Sequence, residues 1–111
     1  MGYFCPFFTK KHYFMKNIDE ILNVFRNHNY HFEKGEGSSR TYHYNVNVHG
    51  NYDVAIVIGN HIRVLIQSCG VGKHWIVLEE TKMPIDVNNV DGAIKTFEKY
   101  LNATFVFSEN V

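Results

Sequence analysis

From Tyr42 to His49 the chain alternates without interruption, with Tyr42, Tyr44, Val46 and Val48 on one side of the period and His43, Asn45, Asn47 and His49 on the other. Successive side chains of a strand point to opposite faces, so a period of two describes a strand with one apolar and one wet face. That pattern does not suit a helix, nor a parallel sheet covered on both sides. It suits an antiparallel sheet that packs on a core with one face only.

The flanking segments extend the sheet. Tyr30 and Phe32 alternate with His31 and Glu33 as far as the loop Gly35-Glu36-Gly37-Ser38-Ser39. After a turn at Gly50-Asn51, Val54 to Ile58 is a continuous apolar run, which reads as a central strand covered on both faces. Gly59-Asn60 reads as a two-residue hairpin turn. Ile62, Val64 and Ile66 then alternate with Arg63, Leu65 and Gln67, and Gly70-Val71-Gly72-Lys73 turns the chain again. Trp75 to Leu78 forms a fifth strand that fades into Glu79-Glu80-Thr81-Lys82.

Helical spacing brackets the strands. Asn17 with Glu20 three residues later resembles a capping box, and Ile18, Ile21, Leu22 and Phe25 share one helical face, which predicts a helix over 17–28. Beyond Pro84, Asn88 or Asn89 is the expected cap of a second helix. Its apolar face is Val90, Ala93, Ile94, Phe97 and Leu101, with Tyr100 flanking and Asn102 as the expected C-cap. Thr104 to Phe107 reads as a short last strand or an extended tail. Short turns between consecutive strands imply a meander. The expected fold is therefore α+β: a five- or six-stranded antiparallel meander sheet with an N-terminal and a C-terminal helix on one face.

Length sets the domain count. A chain of 111 residues makes one domain. Residues 1–14 hold six Phe or Tyr and read as an aromatic N-terminal extension before a single α+β domain over 15–111, with Met15 a candidate start. The apolar stretch Tyr3–Phe8 is too short for a signal-peptide core and too short to span a membrane. Cys5 and Cys69 do not make a disulfide framework and are expected as free thiols in a reducing compartment, the cytoplasm. The twelve Asn, with abundant Lys, Ile and Tyr, favour A/T-rich codons and point to a phage or mobile element of an A/T-rich genome.

Eleven Lys and Arg balance eleven Asp and Glu. A neutral chain lacks the positive field that drives non-specific nucleic-acid binding, and the basic face of a peripheral membrane protein. No cofactor and no metal site is expected. His43 and His49 share a strand face but lie about 20 Å apart along it, and His28 and His31 straddle a helix end, so no ligand pair forms. Gly70-Val71-Gly72-Lys73 misses the phosphate-loop pattern, with Gln67 in place of its first Gly and His74 in place of Ser or Thr. Cys69 and His74 face each other across a turn without an orienting acid, which suits a small turn residue better than a nucleophile.

Two patterns remain. Asp53 with Glu80-Thr81-Lys82 resembles the D…E-x-K pattern of the restriction-endonuclease-like nucleases. That resemblance implies Asp53 and Glu80 as magnesium ligands and Lys82 as the group that helps activate water. A charged strand end meeting solvent accounts for the same residues. The second pattern is the face His43, Asn45, Asn47 and His49, with Tyr42, Tyr44 and Tyr52 nearby. Aromatic and amide groups on an open sheet could stack single-stranded nucleic acid. Tyr and Asn without charge suit protein recognition better. The sequence thus reads as a small non-enzymatic protein that binds another protein, as an accessory, inhibitor or immunity-type factor does, and that forms a homo-oligomer.

Neutrality carries its own consequence. Seven histidines hold the only large reserve of charge, because imidazole takes up a proton just below neutrality. Acidification therefore makes the chain cationic. Solubility of the purified protein is expected to be lowest near pH 7 and to rise toward about pH 5.5. A precipitation series across that range checks it, and a flat profile would contradict it.

Overall fold

The alternation in the middle of the chain sets the architecture. In the computed structural model, the described residues are 18–35, 41–69 and 75–109, with the side chains of His49 and of residues 104–109 excepted. The elements are α1 (18–27), β1 (Glu33–Lys34), β2 (Tyr42–His49), β3 (Tyr52–Ile58), β4 (Ile62–Cys69), β5 (Trp75–Met83), a 3-10 turn (Val87–Asn89) and α2 (Val90–Glu109). The strands lie in chain order, β1-β2-β3-β4-β5, each antiparallel to the next. The protein is an α+β domain with an open five-stranded meander, as the pattern requires.

The even-numbered residues of the central strands make the core. Val54, Ile56, Ile58, Ile62, Val64 and Ile66 form one buried cluster with Ile21 and Phe25 of α1 and with Val90, Ala93, Ile94, Phe97 and Tyr100 of α2. Both helices therefore cover the same face. Phe97 is the keystone of the aromatic part: its ring lies 5.4 Å from Tyr30 and 5.8 Å from Tyr44, and Phe25 stands 4.9 Å from Phe32. These tilted and edge-on contacts are the arrangements aromatic rings prefer. They carry the segment around β1 into the core although β1 itself is only two residues long. Burial raises the Tyr30 hydroxyl above the ordinary phenol range, with the Glu98 carboxylate and the Tyr44 hydroxyl adding to it.

Element ends obey local chemistry that the periodicity does not contain. Asn29 has φ of 70°. The Tyr30 N–H reaches the Phe25 carbonyl at 2.9 Å and the Asn29 N–H reaches that of Arg26 at 2.9 Å. This is the paired closure of a helix by a left-handed residue, and the Phe25–Tyr30 ring contact supplies the apolar clasp that accompanies it. Ahead of the other helix, Asp86 caps the 3-10 turn that holds Asn88 and Asn89. The Asp86 Oδ1 accepts the Asn88 N–H at 2.9 Å, while the Asn89 side chain donates back to the Pro84 carbonyl at 2.8 Å. A short carboxylate two residues ahead starts the 3-10 turn, and α2 continues from it.

Four expectations are corrected. Asn102 does not end α2, and Thr104–Phe107 is helical and not a strand, because α2 runs to Glu109 and no Gly or Pro after Gly92 interrupts it. The β3–β4 connection has three residues and not two, since Ile58 sits opposite Ile62. β5 does not fade at Leu78 but pairs through Met83. The β2–β3 hairpin does turn on two residues, with Gly50 at φ of 58°, a conformation glycine adopts without strain. Residues 1–14, Cys5, the Asn17 cap, the 36–40 loop and the 70–74 turn lie outside the described residues.

The left-handed residue is testable. Asn29→Ala should lower unfolding free energy by about 1 kcal/mol, and Asn29→Gly should be close to neutral, because a Cβ without a local hydrogen-bonding group is strained at this φ. Urea titration followed by circular dichroism checks both.

Candidate functional site

The face opposite the helices is laid out by the strand register. In an antiparallel ladder, residues directly opposite each other point the same way. The first transverse row is Glu33, His43, Val57, Arg63 and Lys82; the second is Asn45, Ala55, Leu65 and Glu80; the third is Asn47, Asp53, Gln67 and Val77. A bulge between Ile66 and Gln67 on the β4–β5 ladder brings Val77 and Trp75 of β5 onto this face in place of Leu78 and Ile76. At the centre Ala55 is fully buried and Leu65 is 3% exposed. A groove of about 580 Å³ runs over the face between His43, Asn45, Asp53, Gln67 and Trp75.

The residues singled out by sequence are divided between two faces. His43, Asn45 and Asn47 lie on the open face. Tyr42 and Tyr44 lie on the covered one, packed against the core, with the Tyr44 ring against Phe97. Tyr52 is in step with Val54 and Ile56, the core side of β3. His49 ends β2 beyond a register shift, and its side chain lies outside the described residues. Asn47 works within the fold. Its amide nitrogen stands 2.8 Å from Asp53 Oδ1 and 3.2 Å from the carbonyls of Gly50 and Tyr52, so it ties the turn to the strand that follows. Asn45 remains outward, with its Oδ1 at 3.3 Å from His43 Nδ1.

Asp53, Glu80 and Lys82 also reach the open face, but in different rows. Asp53 belongs to the third row and Glu80 to the second, with β4 between them. At about 4.8 Å per strand the two backbones are roughly 10 Å apart across the sheet, before the offset along it is added. Glu80 is occupied by cations. Its Oε2 accepts from Arg63 Nε at 2.9 Å and also from Arg63 Nη2, and its Oε1 stands 3.7 Å from Lys82 Nζ. The Arg63 hydrogen bond holds the Glu80 carboxyl below its ordinary value of 4.5 against a smaller desolvation effect, and the charges of Arg63 and Lys82 lower it further. Lys82 is thus a partner of Glu80 in an ion-pair triad. Among the described residues, no group of three or more His, Cys, Asp or Glu could hold a metal ion.

Two features escaped the sequence reading. Arg63 meets Glu80 only because of a register that depends on the bulge. The four apolar residues Trp75, Ile76, Val77 and Leu78 are 50%, 57%, 47% and 54% exposed, although a short apolar run reads as buried. Their signal was position: they open the last strand of a meander. Comparison with known protein families, with curated proteins and with solved structures finds no match. Among the described residues, no helix is long and apolar enough to cross a membrane.

The triad has a definite pH signature. A carboxyl lowered in the folded state contributes stability above its unfolded value near 4.5 and loses that contribution as pH falls through the lowered value. Glu80→Gln should cost about 1 kcal/mol at pH 7, a figure reduced for the partial exposure of the pair. The difference from the native protein should shrink in acid. Urea unfolding at pH 7 and pH 3 checks this.

Proposed function

We propose that this protein is a small non-enzymatic binding factor, of the accessory, inhibitor or immunity type, whose open sheet face recognises another protein. The observation that carries this reading is the composition of the face opposite the helices. Over a floor of buried Ala55 and Leu65 it presents Val57 and the half-exposed Trp75 beside the uncharged polar groups His43, Asn45 and Gln67. Exposed aromatic and apolar groups among adaptable uncharged polar ones are the composition that protein recognition surfaces favour. The groove between Asp53 and Trp75 gives that surface relief.

The alternatives find less support. The cations of the three rows, Arg63 and Lys82, are both committed to Glu80, which leaves little to follow a phosphate backbone. A nuclease built on Asp53, Glu80 and Lys82 would have to release Glu80 from Arg63 and bring the two carboxylates across β4. Protein recognition needs no such rearrangement. It also suits a neutral chain, whose solubility benefits when a partner covers it. A cytoplasmic site of action, in a phage or mobile element of an A/T-rich genome, fits the two cysteines and the Asn-rich composition.

The test uses the full chain as bait in extract from its native host, beside Asn45→Arg on the open face and Lys99→Glu on the exposed side of α2. The native chain and the Lys99 variant should retain the same protein, with binding weakened at least about tenfold by Asn45→Arg. Magnesium-dependent DNA cleavage that is lost in Glu80→Gln would move the reading to the nuclease. Nucleic-acid binding that weakens steeply with salt would move it to the third class.

A further inference from the structure

We propose that the first half of β5, Trp75–Leu78, is the site where a second copy of this chain pairs edge to edge, in antiparallel register about a two-fold axis at Ile76 or Val77. The inference concerns the sheet edge and does not rest on the reading of the open face.

β5 ends the strand order, so its outer edge is unpaired among the described residues. The two halves of that edge differ. Glu79–Met83 carries Glu79, Glu80 and Lys82, and charge is a device by which proteins blunt exposed edges; the bulge falls at Leu78, where the two halves meet. Trp75–Leu78 has no charge and no proline, and all four side chains are about half exposed. The exposure extends to both faces. Trp75 and Val77 point with the open face, while Ile76 lies on the helix side. α2 packs over β2, β3 and β4 and meets β5 at Thr81, in the other half, through the Tyr100 hydroxyl. A bare edge with two bare faces calls for a partner that brings both a strand and further structure, which a folded second copy does.

Charge and register select that occupant. A two-fold interface puts one patch against itself, so it tolerates an uncharged patch and penalises a charged one. A two-fold at Val77 sets Val77 against the partner's Val77 but runs Ile76 onto the partner's Leu78, the bulge residue. A two-fold at Ile76 sets Trp75 against the partner's Val77. Displacement toward the charged half is unfavourable: a two-fold at Leu78 sets Ile76 against the partner's Glu80, and one at Glu79 sets like charges together. The net charge of zero adds no long-range repulsion between copies. A charged peptide, by contrast, would find no counter-charge along the run. Four half-exposed side chains per copy are far fewer than the residues a permanent interface commits. The pairing is therefore a concentration-dependent equilibrium.

Trp75 is the sole tryptophan, so the proposed contact reports on itself. Sedimentation velocity and tryptophan emission are to be measured on the full chain from about 5 µM to about 500 µM, a range suited to a weak dimer. The expected result is a monomer–dimer equilibrium in which emission moves to shorter wavelength as the dimer forms. Val77→Lys should weaken it at least tenfold, and Ile76→Thr, which keeps strand propensity, should weaken it less. Circular dichroism and the urea midpoint verify that both variants are folded. A monomer throughout the range overturns the proposal. So does a dimer that survives Val77→Lys, or an emission maximum already at short wavelength in the monomer, which would place another part of the chain on the run.

Discussion

The structure depends on one contact, the apolar stripe of α2 laid across the even-numbered face of the sheet. Val90, Ala93, Ile94, Phe97 and Tyr100 lie on one side of the helix and meet Val54, Ile56, Ile58, Ile62, Val64 and Ile66. A strand alternates with period two, so once these residues are inward their odd-numbered neighbours must be outward. Phe97 extends the contact to Tyr30 and Tyr44 and holds the short β1 region beside β2. A one-residue slip of any central strand would turn its half of this cluster to solvent.

That constraint also creates the surface on which function is proposed. Helices on one face leave the other to be built from whatever residues alternate with the core. Here those residues include Ala55 and Leu65 at the centre, with histidine, amide and aromatic groups around them. Arg63 and Lys82 are paired with Glu80, Asp53 is tied to Asn47 in closing a hairpin, and Glu33 stands on the short strand at the sheet edge. Beside them His43, Asn45, Gln67 and Trp75 face outward around the groove. Catalysis by acid, base or metal needs converging titratable groups, whereas recognition of another protein needs area and complementarity.

The sheet was legible in sequence where its period was long. Tyr42–His49 and Ile62–Gln67 announce their faces unaided, and the 90–101 stripe announces α2. The misreadings share a physical origin: they concern features decided by neighbours distant in sequence or by a single dihedral. Asn29 looks like any polar residue at a helix end until its φ is seen. Asp86 lies outside the helical period because it caps a 3-10 turn that precedes α2. Glu79–Met83 reads as a dying strand, yet Arg63 supplies the charge that lets Glu80 and Lys82 sit on a sheet face. The fate of Tyr42 and Tyr44 was implicit in the same alternation that exposed His43 and Asn45, so grouping all four as one site set composition against geometry.

Trp75 links the two proposed surfaces. It borders the groove on the open face and opens the unguarded half of the edge. A protein partner on the face and a second copy on the edge would both be in contact with this side chain. Sites that share a side chain are thermodynamically coupled, and the coupling is reciprocal: whatever one occupant does to the affinity of the other is returned in equal measure. If pairing of the edges turns the indole toward the groove, it weakens partner binding; if pairing turns it away, it opens the groove and strengthens binding. Either way, the proposed self-association would act as a control on the proposed recognition of another protein and not only as a cover for the exposed apolar edge.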